Sequence, residues 1–228
     1  MTTFDIGILT GSGPEAGIDL WNAVLAERRA RLGERYRGDL DAPSVLVRSE
    51  PRLGLSMDIE LHRDAVVEAA MDHAPVLDAD CSAWAIACNT IHLIAPDLSA
   101  TGVDRRLVSY VDVVERWLAA QPAGSVALAA VRPVAQLGSS SAYQRLADRV
   151  VRLPDDVIED THQLVDDVKR TGPTDPLRDR WRALRTRMPA ESVLLACTEL
   201  PLVAAPDDPS TVDVTRLVAA ALLDAATS

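Results

Sequence analysis

The sequence predicts an α/β protein in which parallel sheets are covered by helices and the chain is organised as two similar halves. Apolar runs of strand length alternate with amphipathic helical stretches, the pattern of strand–helix–strand units. Trp84-Ala-Ile-Ala-Cys-Asn-Thr-Ile-His-Leu93 lines up with Val193-Leu-Leu-Ala-Cys-Thr-Glu-Leu-Pro-Leu202 at an offset of 109 residues. The opening strands also match, Ile6-Gly-Ile-Leu9 against Val126-Ala-Leu-Ala129, at an offset of 120. A chain of 228 residues, 48% hydrophobic and 25% charged, is globular in composition and long enough for one large or two small domains.

Phe4 to Thr10 (FDIGILT) reads as a buried strand that stops at Gly11-Ser12-Gly13-Pro14, where glycine permits a tight turn and proline suits a first helical position. Helix follows to Leu32. Ser44 to Ser49 is a second strand, Ile59 to Leu77 a helix, and Ser82 to Cys88 a third strand ending at Asn89-Thr90. The series then restarts. Val108 to Ala120 reads as helix, Ser125 to Val131 as strand, Ser140 to Arg149 as helix and Val150 to Leu153 as a short strand. Helices over Val157 to Arg170 and Pro176 to Arg187, a strand over Ser192 to Cys197 and a last helix over Thr215 to Ala226 complete it.

A formal net charge of −11, spread along the chain, argues against a nucleic-acid or anionic-membrane partner. Three cysteines, Cys81, Cys88 and Cys197, are too few and odd in number for a disulfide framework and fit thiols kept reduced in a cytosol. The first residues carry no signal-peptide pattern, and charged residues interrupt every apolar run short of membrane-spanning length. The expectation is a cytoplasmic protein acting on a small molecule. Histidines 62, 73, 92 and 162 show no metal-ligand spacing with the cysteines, so no metal site is expected.

Each half ends on a strand that delivers a cysteine at its carboxyl end, where ligands bind in open α/β sheets. Two such halves face to face put two thiols across one crevice. A thiol has a reference pKa of about 8.5 and serves as acid or base near neutrality. A thiolate and a thiol on opposite faces of a carbon invert it by removing one proton and returning another. Asn89, Thr90 and Thr198 suit carboxylate binding, and Gly11 to Gly13 suit a backbone anion site.

These residues resemble a known family. Ile6-Gly-Ile-Leu-Thr-Gly-Ser-Gly-Pro-Glu-Ala16 resembles the opening GGMGPEA stretch of the cofactor-independent aspartate/glutamate racemase superfamily. Ala87-Cys-Asn-Thr-Ile-His92 resembles its first cysteine motif and Ala196-Cys-Thr-Glu-Leu-Pro-Leu202 its second. The aspartate racemase-like branch is nearest. The resemblance implies two pseudo-symmetric three-layer α/β/α domains with mainly parallel sheets and the active site in the cleft between them. It implies a first domain of residues 1–103 plus 212–228, with the final helix returning to it, and a second of residues 104–211. It also implies catalysis by Cys88 and Cys197 without metal or pyridoxal cofactor, and a homodimer. By the same resemblance Lys169, the single lysine beside 22 arginines, binds the substrate's side-chain carboxylate, with Arg48 as a second candidate. Ser12 and Gly11 belong to the substrate loop, and Glu199 assists the second thiol, holds the substrate amine, or takes a capping or salt-bridging role.

Some positions depart from the family pattern. Val131 and Val134 stand where its carboxylate-binding threonines would be, leaving Ser139, Ser140, Ser141 or Arg132 as substitutes, and Thr10 and Ser12 replace the usual Gly and Met. The readings that compete with acidic amino-acid racemisation are another carboxylate isomerase or decarboxylase of the superfamily, and an acyl-transfer enzyme using Cys88 with His92. A non-catalytic amino-acid-binding relative is the third. Cys81, at the start of a buried strand, reads as packing.

Overall fold

Strand β1 (Phe4–Thr10) is buried from Ile6 to Thr10 in the computed structural model, which describes residues 3–227. A strand covered on both faces carries apolar residues without alternation, as FDIGILT does. It pairs in parallel with β2 (Val45–Ser49) on one side and β3 (Cys81–Ile86) on the other. Helix α1 (Pro14–Leu32) leaves β1 with Pro14 in its first turn, where the missing N–H is not needed. A 3₁₀ segment (Pro51–Asp58) joins β2 to α2 (Ile59–Met71), and α3 (Ala74–Asp80) leads into β3. The single helix expected over 59–77 is therefore two. In a continuous helix the Pro75 ring would clash with the Met71 carbonyl, and the break falls between them at Asp72 and His73.

After α4 (Ala95–Thr101) and α5 (Tyr110–Ala119), the second sheet contains β4 (Val126–Ala129), β5 (Ser192–Leu195) and β6 (Thr211–Asp213), all parallel in the order β4–β5–β6. Between β4 and β5 lie α6 (Arg132–Ala135), α7 (Asp155–Thr171) and α8 (Asp175–Arg185), and α9 (Val214–Ala226) ends the fold. Isolated bridges extend both sheets, Leu107 on Trp84 and Val151 on Ala127. Each sheet thus runs from one edge through an opening strand and a cysteine-bearing strand to another edge. The strand expected over 150–153 is reduced to that one bridge, ahead of Pro154, which cannot donate to a ladder. The helix expected over 140–149 is a 3₁₀ segment, Gln144–Arg149. There Ser141 Oγ donates to the Val134 carbonyl and accepts from Tyr143 N–H, competing locally with helical bonding.

One apolar cluster joins Ile6 and Ile8 of β1 and Ala83 and Ala85 of β3 to α9, α5 and the second sheet. The opposite face of the first sheet, with Leu9, Trp84 and Ile86, is covered by Ile59, Val66 and Leu77 from α2 and α3. Helix α9 packs on α1 and β3, and Arg31 of α1 donates to the Asp224 carboxylate (2.6 Å) and the Ala220 carbonyl (2.9 Å). No helix among the described residues is long and apolar enough to cross a membrane.

The α1–α9 seam also holds two carboxyls, Asp19 and Asp213, lining a cavity of about 700 Å³. Asp213 caps α9 by accepting from Thr215 N–H at 2.8 Å. Burial first, and then the neighbouring Asp213, raise Asp19 to about 6 against the pull of Arg216. A carboxyl raised on folding contributes stability at low pH that is lost as pH rises through its folded value. Asp19→Asn should therefore raise the urea midpoint over wild type at pH 7, by about 1–3 kcal/mol in unfolding free energy, with the gap closing between pH 6 and pH 4. Urea titrations across that range test it, and a gap that does not vary with pH contradicts it.

Candidate active site

The residue before each cysteine is tied to the neighbouring opening strand in the same way. Ala87 N–H donates to the Leu9 carbonyl and Ala196 N–H to the Ala129 carbonyl, both at 2.8 Å. Cys88 and Cys197 consequently stand at equivalent places, two residues beyond the ends of β3 and β5. Each chain then turns into a short 3₁₀ segment, Thr90–Ile94 and Leu200–Leu202. Both thiols are nearly closed off, at 8% and 7% exposure.

The loop after β1 joins the two environments. Gly11 has φ +134°, and a Cβ there would lie 2.0 Å from the Glu50 carbonyl oxygen, so only glycine fits against that backbone. At Gly13 (φ +87°) a Cβ would meet Glu199 Oε1 at 2.1 Å and Lys169 Nζ at 3.0 Å. Lys169, in the last turn of α7, donates to Glu199 Oε1 at 2.5 Å. The other oxygen, Oε2, accepts from Cys197 Sγ at 3.1 Å and from Thr198 Oγ1 at 3.2 Å. On the other side of the loop, Ser12 Oγ lies 2.8 Å from Ser56 Oγ, which lies 3.8 Å from Cys88 Sγ. Adjacent residues of one loop therefore reach both thiol environments.

Burial alone would lower the Lys169 ammonium, but Glu199 first, and then Cys197 and Cys88 when ionised, outweigh it and hold Lys169 above its ordinary value. Burial, reinforced by Glu199, pushes Cys197 well up. Asn89 is held by Tyr143, whose hydroxyl donates to Oδ1 at 2.5 Å, while the Asn89 amide Nδ2 is buried without a hydrogen-bond partner among the described residues. A buried donor left open in this way is a place for a ligand or water acceptor.

Of the residues singled out in the sequence, these contacts link Ser12 with Cys88 through Ser56, and Lys169, Glu199, Cys197 and Thr198 beside the adjacent Gly13; Gly11 lies next to Ser12 against Glu50, and Asn89 and Thr90 are buried directly after Cys88. Arg48 is not among them. Its Nε donates to His73 Nδ1 at 3.2 Å, and His73 in turn meets Glu50, on the α2–α3 side of the first sheet. Val131 and Val134 are core residues, and Arg132 turns outward to Glu159. The Cys88–His92 pair makes no hydrogen bond; the His92 ring is stacked on Tyr110 at 5.0 Å, and burial lowers it to about 4. Cys81 is fully buried, and burial followed by Asp80 raises it to about 11, as befits a packing thiol. Ser56 escaped sequence reasoning because a lone serine in a loop carries no pattern of its own.

The profile of the Asp/Glu/Hydantoin racemase family matches residues 12–225. The chain belongs to that family. No curated protein sequence matches it, but solved structures share its fold. An aspartate racemase from Picrophilus torridus superposes with a TM-score of 0.74 at 19% identity, covering 97% of this chain and 94% of that one. An aspartate racemase homologue from Pyrococcus horikoshii OT3 gives 0.69 at 20% identity, covering 98% and 99%. A glutamate racemase isoform from Bacillus anthracis gives 0.53 at 13% identity, covering 95% and 79%. The fold is that of the Asp/Glu racemases, with two α/β domains, and membership of the family supports an amino-acid racemase activity.

In this family member the Lys169–Glu199 pair is deeply set, with side-chain exposures of 17% and 4%. Removing one partner leaves an uncompensated buried charge, which costs about 3–5 kcal/mol. Lys169→Met should therefore lower unfolding free energy by about that much, and Lys169→Met with Glu199→Gln by clearly less. Chemical denaturation of the two variants and Glu199→Gln alone closes the cycle; strictly additive losses would show the pair is not coupled.

Proposed function

We propose that this racemase-family protein inverts the α-carbon of an acidic amino acid, with Cys88 and Cys197 as the two bases serving opposite faces. The observation that carries the reading is the loop from Gly11 to Gly13, which reaches Cys88 through Ser12 and Ser56 and Cys197 through Glu199. In a turnover one cysteine, as thiolate, takes the α-proton. The C–H electron pair moves into the adjacent carboxylate as an enolate-like carbanion, and the opposite thiol returns a proton to the other face. The two sulfurs end with their protonation exchanged, ready for the opposite enantiomer. Asn89 Nδ2, oriented by Tyr143, and Thr90 and Thr198 are suited to the α-carboxylate.

Lys169 serves the distal carboxylate in this reading. An ammonium has three N–H donors, and Glu199 Oε1 uses one, which leaves two for a substrate. Glu199, bonded to the Cys197 thiol, assists that base. One working half is built on the first sheet and the other on the second, which keeps Val212 and Asp213 of β6 beside β5, and the chain acts as a homodimer.

Circular dichroism of L- and D-aspartate, glutamate and their amides is expected to decay on incubation with the purified protein, fastest for a dicarboxylic acid. Cys88→Ser and Cys197→Ser should each lose inversion by about 10²–10⁴-fold or more, since serine is too weak a base to replace a thiolate. In deuterium oxide, proton NMR of each variant should show α-proton exchange for opposite enantiomers. Full inversion by either variant would eliminate the two-thiol mechanism, and the absence of exchange with every acidic amino acid would eliminate the substrate class.

A further inference from the structure

The two thiols occupy equivalent places in the repeat but have unlike neighbours. Cys197 faces a carboxylate, an acceptor without a proton to give. Cys88 faces Ser56, and Ser56 faces Ser12; among the described residues these two hydroxyls bond only to each other and to the sulfur. Both serines are closed off from solvent, at 1% and 2% exposure. A buried hydroxyl without a hydrogen bond is costly, so this short chain has a reason to persist. Each hydroxyl can donate one bond and accept others, which lets the chain run in either direction. With a thiolate at Cys88, Ser12 donates to Ser56 and Ser56 to sulfur. With a thiol, the bonds run the opposite way and the Ser12 hydroxyl is left without an acceptor among the described residues, so the thiolate form is the better satisfied. The fold brings the two serines together from separate segments, because Gly11 lets the first loop lie against the Glu50 carbonyl at the start of the segment that carries Ser56.

We propose that Ser56, backed by Ser12, is a positioning residue that stabilises the thiolate form of Cys88 through a reversible hydroxyl chain. This rests on the two-thiol reading for its catalytic meaning, but the hydrogen bond itself can be read without turnover. The measurement is the pH profile of iodoacetamide alkylation at Cys88, resolved from Cys81 and Cys197 by fragment-ion mass spectrometry. A hydrogen bond to a charged group is among the stronger kinds, and its loss is expected to move the profile of Ser56→Ala upward by about one pH unit, with alkylation at pH 7 slower by about tenfold. Ser12→Ala should shift it the same way by less, and Ser56→Thr, which keeps the hydroxyl, should stay near wild type. Cys197 should react within about twofold of its wild-type rate throughout. Should Ser56→Ala fail to fold, Ser12→Ala carries the comparison alone. An unshifted Cys88 profile in the folded alanine variants, or an equal shift at Cys197, overturns the proposal. Because no substrate is present, that result is separate from the inversion assays on Cys88→Ser and Cys197→Ser.

Discussion

Gly13 is the position on which the site's assembly depends. Its missing side chain lets the buried Lys169–Glu199 pair come up against the first loop. Three separate segments meet there: the β1–α1 loop, the end of α7, and the turn after β5. Burying an ion pair is costly unless its remaining hydrogen-bonding capacity is used, and here the carboxylate also accepts from Cys197 and Thr198. The chain's single lysine stands at this packed corner. A compact ammonium fits where a Cβ on Gly13 would be only 3.0 Å away, whereas a planar guanidinium fork needs more room. The arginines instead make outward ion pairs, such as Arg145 with Asp112 and Arg187 with Asp156 and Asp160.

The duplicated scaffold and the unlike chemistry mounted on it follow from different parts of the chain. Backbone bonds from Ala87 to Leu9 and from Ala196 to Ala129 repeat because both halves use the same parallel pairing of opening strand and cysteine strand. The groups around each sulfur come from elements outside that pairing. Ser56 arrives on a 3₁₀ segment of the first half, and Lys169 on a long helix of the second. A repeat therefore delivers two thiols at matched places without making them electrostatically alike.

Strands whose pattern is set by burial on both faces were readable from sequence, as FDIGILT and SVALAAV show, and so was the recurrence that pairs Cys88 with Cys197. What resisted reading depended on contacts distant in sequence or on very short elements. β6 has three residues, too few to display a period. The break at Asp72–His73 was signalled by Pro75 but masked by the apolar run on either side. Arg48 sits at the end of β2, yet the strand's alternation turns its side chain to the α2–α3 face and His73. Such an orientation is settled by which face of the sheet is covered, and a five-residue strand that is partly exposed on both faces does not announce it.

The buried valines constrain where an anionic substrate can be held. Val131 and Val134, standing where the resembling sequences carry threonine, are part of the apolar core, and the Val134 carbonyl is already taken by Ser141. Arg132 is committed to Glu159 at the surface. Neither Val131 nor Val134 thus offers a side-chain donor in the turn after β4. Open donors lie elsewhere: the Asn89 amide on the first half, and the remaining N–H groups of Lys169 on the second. In the proposed reading, a dicarboxylic substrate would direct its α-carboxylate to Asn89 and its distal carboxylate to Lys169, splitting recognition between the two halves. That division would put the α-carbon between the two cysteine turns, since Asn89 follows one thiol directly and Lys169 is linked to the other through Glu199.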